Sequence, residues 1–159
     1  MSRPLRYVSE FADLPGAADV ISLEAEFGES SDAWTHRLAE TLDLCVYLSG
    51  SVTARRVEAS FDRRNRLWPV FGVFSIRFDN GSLAVCSLRQ SAEPVAGTRC
   101  ITSRNADVRE RVATLSDVAV RAETDDFLSR LAAGSPPRVS IADGLKGARL
   151  VDHLMSLLR

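Results

Sequence analysis

Between Thr53 and Ser103, apolar residues recur on alternate positions in one segment after another, and this period of two constrains the fold more than any other feature. Val57, Ala59 and Phe61 share one side of a segment from Thr53 to Phe61, and Phe74, Ile76 and Phe78 share one side of the next, Val70 to Phe78. Ser82 to Gln90 and Thr98 to Ser103 follow. Successive strand residues point to opposite faces, so each segment buries one side only. The turn Asp79-Asn80-Gly81 joins two of them, and Asn-Gly tolerates the positive φ that a tight hairpin needs. Residues 107–122 are expected to add one or two more strands.

The period differs on either side of this block. Ile21, Leu23, Ala25 and Phe27 mark one more half-buried strand, ended by Gly28. Ser31 or Asp32 can then cap a helix over 33–49, whose stripe is Trp34, Leu38, Leu42, Cys45 and Leu48, with Gly50 placed to stop it. Downstream, Thr124 is expected to cap a helix carrying Phe127, Leu128 and Leu131 and closed by Gly134, and Pro136-Pro137 forbids its continuation. Ser140-Ile141-Ala142-Asp143 has capping-box form and opens a last helix with Leu145, Ala148, Val151, Leu154, Met155 and Leu158. One strand and helix, a run of strands, then two helices predicts an α+β fold. The sheet is expected to be largely antiparallel or mixed, with helices packed on one face, an open-faced sandwich. The 159 residues predict a single domain, with 1–19 as an irregular N-terminal segment in which Arg6 to Ser9 adds an edge strand.

A formal charge of -1 gives no footprint for nucleic acid or for an anionic membrane. There is no apolar run near ~20 residues, and Met1-Ser2-Arg3-Pro4 lacks the apolar core of a signal peptide, so the expected location is cytoplasmic. Cys45, Cys86 and Cys100 are odd in number and show no CxxC spacing; they are expected to be structural thiols. Lys146 is the sole lysine and falls on an expected helix surface, which leaves little for Schiff-base chemistry. No GxSxG elbow and no Gly-rich phosphate loop occurs.

Three segments carry a family resemblance: Thr41-Leu-Asp-Leu-Cys-Val-Tyr-Leu-Ser-Gly50, Phe74-Ser-Ile-Arg-Phe-Asp-Asn-Gly81, and Phe127 to Leu158 with its Pro-Pro and Ser-Ile-Ala-Asp-Gly-Leu. In this order the chain, over about 18–158, resembles the C-terminal domain of the Gfo/Idh/MocA oxidoreductases, the glucose–fructose oxidoreductase and inositol dehydrogenase family. The family's Rossmann domain, with its Gly-rich turn and the Lys of a Glu-Lys-Pro motif, has no counterpart here. The resemblance therefore implies a substrate-binding and dimerisation domain (20–159) that binds no cofactor by itself, with NAD(P) supplied by a Rossmann-domain partner, and a homodimer formed through the sheet. The implied ligand is a sugar-like small molecule. The family carries Asp-x-x-x-His-x-x-Asp on the domain's first helix, whose His commonly acts as acid/base; here the aligned template is His36-x-x-x-Glu40-x-x-Asp43, and only Asp43 matches. The catalytic assignment does not transfer.

His36, Glu40 and Asp43 nevertheless fall at i, i+4 and i+7, one helix face. Three readings stay open: a polar pocket in which His36 and Glu40 are the catalytic candidates and all three bind substrate, a solvated face with an i,i+4 ion pair, or a divalent-metal site. Arg55-Arg56 and Arg63-Arg64-Asn65-Arg66 form either a solvated hairpin tip or a phosphate contact. Trp68-Pro69-Val70-Phe71 is core or partner surface, and Arg77 and Arg89 are expected on the sheet face opposite the Phe cluster, as rim ion pairs or ligand contacts. His153 reads as surface or satisfied core. Three functional readings follow: a subunit of a split oxidoreductase acting on a sugar or polyol, a non-catalytic pseudoenzyme or scaffold, and a cofactor-free isomerase, epimerase or lyase using His36 and Glu40.

Overall fold

The alternating segments build one six-stranded sheet. The computed structural model describes residues 4–12, 14, 16, 18–28, 31–62, 69–92, 97–114, 117–136 and 141–157. The strands are β1 (Val20–Phe27), β2 (Ala54–Asp62), β3 (Phe71–Phe78), β4 (Leu83–Gln90), β5 (Gly97–Arg104) and β6 (Asp107–Thr114). The helices are α1 (Ser9–Ala12), α2 (Ser31–Ser49), α3 (Asp117–Ala132) and α4 (Ile141–Leu157), and a 3₁₀ turn, Pro4–Tyr7, precedes them. The order across the sheet is β2-β3-β4-β1-β5-β6. Every neighbouring pair is antiparallel except β1 with β4, so the sheet is mixed.

The alternation decides which side is covered. Ile21, Leu23, Ala25 and Phe27 on β1, Phe74, Ile76 and Phe78 on β3, and Ala84, Cys86 and Leu88 on β4 are buried under α2, whose stripe Trp34, Leu38, Leu42, Cys45 and Leu48 is fully buried. Gly50 stops α2 at φ 68°. The opposite face carries Val73, Ser75 and Arg77 of β3 with Val85 and Arg89 of β4, and no helix of the described residues covers it. The expected α+β open-faced sandwich is the fold found.

Three local expectations are corrected. No edge strand forms over Arg6 to Ser9. Leu5, Val8, Phe11 and Leu14 recur every third residue, the 3₁₀ period, and all are buried. Their backbone bonds run Val8 to Leu5, Phe11 to Val8 and Leu14 to Phe11, at 3.3, 2.9 and 3.1 Å. Thr124 does not cap its helix: among the described residues 107–122 hold one strand, within the one or two expected, but α3 already starts at Asp117, and Thr124 sits inside it, its hydroxyl donating to the Val120 carbonyl at 3.1 Å. The β-branched Val118 and Val120 gave this turn a strand-like composition. Finally, Phe127, Leu128 and Leu131 are exposed instead of buried, because α3 lies beside the 3₁₀ turn and offers it Asp126, whose carboxylate accepts from the Tyr7 hydroxyl at 3.4 Å. In α4, Val151 and Leu154 enter the core while Leu145 and Ala148 stay exposed. Leu158, Ser140 and the side chains of 141–143 lie outside the described residues.

Candidate functional site

The first turns of α2 lie over the ends of β1 and β5, and this placement makes the site. Arg37 is buried on the stripe side of α2. Its Nε donates to the Glu26 carbonyl at 3.0 Å, its Nη1 to Glu40 Oε2 at 2.9 Å, and its Nη2 to the Gly97 carbonyl at 3.4 Å. Ala25 and Thr98 close the β1–β5 ladder, so the two carbonyls flank its last rung. One guanidinium thus clamps two strand ends and neutralises Glu40.

Glu40 is buried, and only half of its carboxylate is used. Oε2 takes Arg37, while Oε1 has no hydrogen-bond partner among the described residues. His36 Nδ1 stands 3.5 Å from Oε1, and the His36 side chain is 56% exposed. That separation is within ion-pair reach but beyond good hydrogen-bond geometry. A buried acceptor left unpaired costs about 1–3 kcal/mol, so Oε1 has the capacity to accept one further hydrogen bond. Thr98 Oγ1, on the strand end that Arg37 clamps, is a second buried oxygen without a hydrogen-bond partner among the described residues.

Asp43 sits differently. Arg6 from the 3₁₀ turn grips it bidentately, through Nε to Oδ2 and through Nη2 to Oδ1, and also reaches the Asp43 carbonyl at 3.4 Å. The guanidinium lies 5.4 Å from the centre of the Tyr47 ring. Both members of the pair are buried. The three sequence candidates therefore divide: His36 and Glu40 meet, while Asp43 anchors the N-terminal turn to α2. A solvated helix face does not describe them, because Glu40 and Asp43 are only 3% and 1% exposed. Among the described residues no three His, Cys, Asp or Glu side chains gather as metal ligands.

Sequence reasoning passed over Arg6, Arg37 and Thr98. For Arg37 a signal existed: it shares the stripe of Trp34, Leu38 and Thr41, where a charged residue is buried only if it is paired. The remaining candidates are scattered. Arg63 to Trp68 lie outside the described residues, as does the Lys146 side chain. Pro69 is buried and Phe71 is exposed on the open face. Arg77 and Arg89 lie on that face too, Arg89 pairing with Glu26 at 3.2 Å, while Arg99 joins Glu24 and Glu110 at 3.3 and 2.7 Å. His153 is exposed. The thiols are core: Cys45 Sγ lies 3.3 Å from Cys86 Sγ. Burial, reinforced by Cys86, pushes the Cys45 thiol well above its ordinary value, and burial pushes Cys100 up to about 12.

The described residues form no dinucleotide cradle. A pyrophosphate cradle needs a glycine-rich turn between a strand and a helix N-terminus, followed by a neighbouring parallel strand. Here β1 leads to α2 past the single Gly28, and the strand after α2 lies at the far edge of the sheet, antiparallel to its neighbour.

No protein-family model and no curated protein matches the sequence. Solved structures do match in shape. A probable dehydrogenase from Thermotoga maritima superposes with a TM-score of 0.77 at 16% identity, over 94% of this chain and 59% of its own. A putative myo-inositol dehydrogenase from Sinorhizobium meliloti gives 0.76 at 12% identity, over 95% and 60%. A UDP-N-acetylglucosamine 3-dehydrogenase from Acidithiobacillus ferrooxidans gives 0.67 at 19% identity, over 97% and 58%. The chain spans 58% to 60% of the lengths of these dehydrogenases. Nearly the whole of it superposes on only part of each, and it therefore has the fold of the C-terminal domain of Gfo/Idh/MocA-type dehydrogenases.

Proposed function

We propose that this chain is the substrate-binding and self-association part of an oxidoreductase acting on a sugar or polyol, with NAD(P) and the catalytic lysine brought by a Rossmann-bearing partner. The observation that carries this reading is the buried Glu40 carboxylate with one unused oxygen beside His36, on a fold shared with sugar and polyol dehydrogenases. Arg37 pairs with Glu40 at 2.9 Å and holds its carboxylate in place. Oε1 accepts a substrate hydroxyl, and His36, open to solvent, accepts or delivers a proton at that oxygen's neighbour. No hydride step falls to residues of this chain. The uncovered sheet face, with Phe71, Val85, Val108 and Val112 exposed around its ion pairs, supports a homodimer.

Titration calorimetry with myo-inositol, scyllo-inositol, glucose, NADH and NADPH tests the reading. The expected result is saturable binding of a polyol and none of either dinucleotide, with Glu40→Gln weakening the polyol about tenfold, the worth of a charge-assisted hydrogen bond. A micromolar Kd for NADH or NADPH, or polyol binding indifferent to Glu40→Gln, refutes it. A second reading, a scaffold that has lost its chemistry, is favoured by one observation: the family-matched carboxylate, Asp43, is engaged by Arg6. That scaffold binds no polyol at all.

A further inference from the structure

A groove of about 560 Å³ lies between the edge strand β2 and helix α4, three strands away from the Glu40 site. This is an ordinary size for a small-molecule site, roughly 300–1,000 Å³. Its floor is apolar: Val57 and Leu150 line it and pack against the core. Its walls are basic. α4 supplies Arg149 and His153, one turn apart and so on one face. β2 supplies Arg55 and Arg56. The β2–β3 register slips between Ala54 and Arg56, which makes Arg55 the extra residue of a β-bulge. Bulges re-aim a side chain out of the regular alternation.

The charge there is poorly compensated. Arg56 is paired with Glu58 at 2.6 Å, but Arg55, Arg149 and His153 form no ion pair with any described residue. Asp79, close enough to feel Arg55, accepts a hydrogen bond from the Ser51 hydroxyl. In a chain of net charge -1, this is a local excess of positive charge over an apolar floor. A single guanidinium fork satisfies both oxygens of a carboxylate, whereas a phosphoryl group has three terminal oxygens and can engage forks from both walls at once.

We propose that this groove binds a small organic phosphate, its phosphoryl group held by Arg55 and Arg149 and its organic part lying on Val57 and Leu150. The inference is independent of the polyol reading, because no residue is shared with the Glu40 site.

Titration calorimetry of the full chain with uridine monophosphate, glucose 6-phosphate and inorganic phosphate tests it, with uridine and glucose as uncharged controls. The expected result is saturable binding of at least one ester, about tenfold tighter than inorganic phosphate, and none of its dephosphorylated form. Arg55→Gln and Arg149→Gln should each weaken that ester about tenfold, while Arg109→Gln, on β6 at the other edge of the sheet, should change it less than about twofold. All three residues are exposed, so unchanged thermal melts are expected and confirm intact folding. The proposal is overturned if no ester saturates below about 10 mM, or if the Arg55 and Arg149 variants bind like wild type. It is equally overturned if all the anions bind alike and release together with added salt, which is an adventitious ion only.

Discussion

Replacing Arg6 by Met removes one partner of a buried ion pair and keeps the length of the side chain. Arg6 and Asp43 are 6% and 1% exposed, so the Asp43 carboxylate would lose its guanidinium while shielded from solvent. Three contacts from the guanidinium to Asp43 disappear together with its stacking on Tyr47. Breaking a buried pair from one side costs about 3–5 kcal/mol, a large share of the ~5–15 kcal/mol that holds a domain together. For a chain of this size that is a fall in Tm of about 6–20 °C. Urea melts followed by circular dichroism give the number. Asp43→Asn and the double variant complete a cycle, in which the double should cost less than the sum of the singles by about 1–3 kcal/mol. The loss should be felt beyond the pair, since the 3₁₀ turn also seats α3 through Tyr7 and Asp126, and amide exchange in α3 should quicken. An Arg6→Met variant within about 1 kcal/mol of wild type, or a cycle that is simply additive, would refute the assignment of Asp43 to anchoring.

Gly72→Ala should destabilise by about 1–3 kcal/mol in the same urea assay through overpacking: a Cβ there would meet Trp34 Cη2 at 2.7 Å and Phe61 Cδ1 at 2.8 Å, and both rings are locked edge-to-face 5.9 Å apart. A neutral result would mean the aromatic cluster yields more than its burial suggests. The three buried thiols should resist dithionitrobenzoate in the native protein at pH 8 and react together on unfolding. The sign of the linkage follows from Cys100: its folded value, about 12, exceeds the ordinary thiol value of 9.0. Its contribution is therefore complete below pH 9 and lost as pH climbs toward 12. Replacing Cys100 by Ala should flatten the alkaline limb of a stability–pH curve, and an unchanged limb would count against it.

The sheet and α2 were legible because their burial follows a strict period. Phe74, Ile76 and Phe78, or Trp34 through Leu48, face one side at spacings that admit a single reading. The N-terminal turn was not legible as helix because Pro4, Pro15 and Gly16 dominate its composition, while its actual signal is the period of three in Leu5, Val8, Phe11 and Leu14. The β5–β6 hairpin gave a weak signal for a similar reason. Asn105 and Ala106 both take positive φ, 49° and 67°, and an alanine in that conformation is uncommon. The Asp19 carboxylate holds the turn by accepting from the Asn105 amide at 2.9 Å. The exposed stripe of α3 could not be foreseen from α3 alone, since its polar side is the one that finds a neighbour in Tyr7.

The candidate site shows what helix spacing does and does not decide. Positions i, i+4 and i+7 bring His36, Glu40 and Asp43 onto one face, and the two carboxylates are indeed both buried. Their roles are set by arginines that the spacing does not contain. Arg6 comes from a segment 37 residues earlier and occupies both oxygens of Asp43. Arg37 comes from the same helix, is shared with two strand-end carbonyls, and so reaches only one oxygen of Glu40. A carboxylate with both oxygens bound is a fastener, whereas one held by a single oxygen, with the other buried and a histidine beside it, is oriented and can still accept a bond. The difference between anchor and candidate site is thus one guanidinium's worth of hydrogen bonds. For the same reason, relieving Arg37 of its strand-end duties would be expected to close the site, by letting its second nitrogen turn to Oε1.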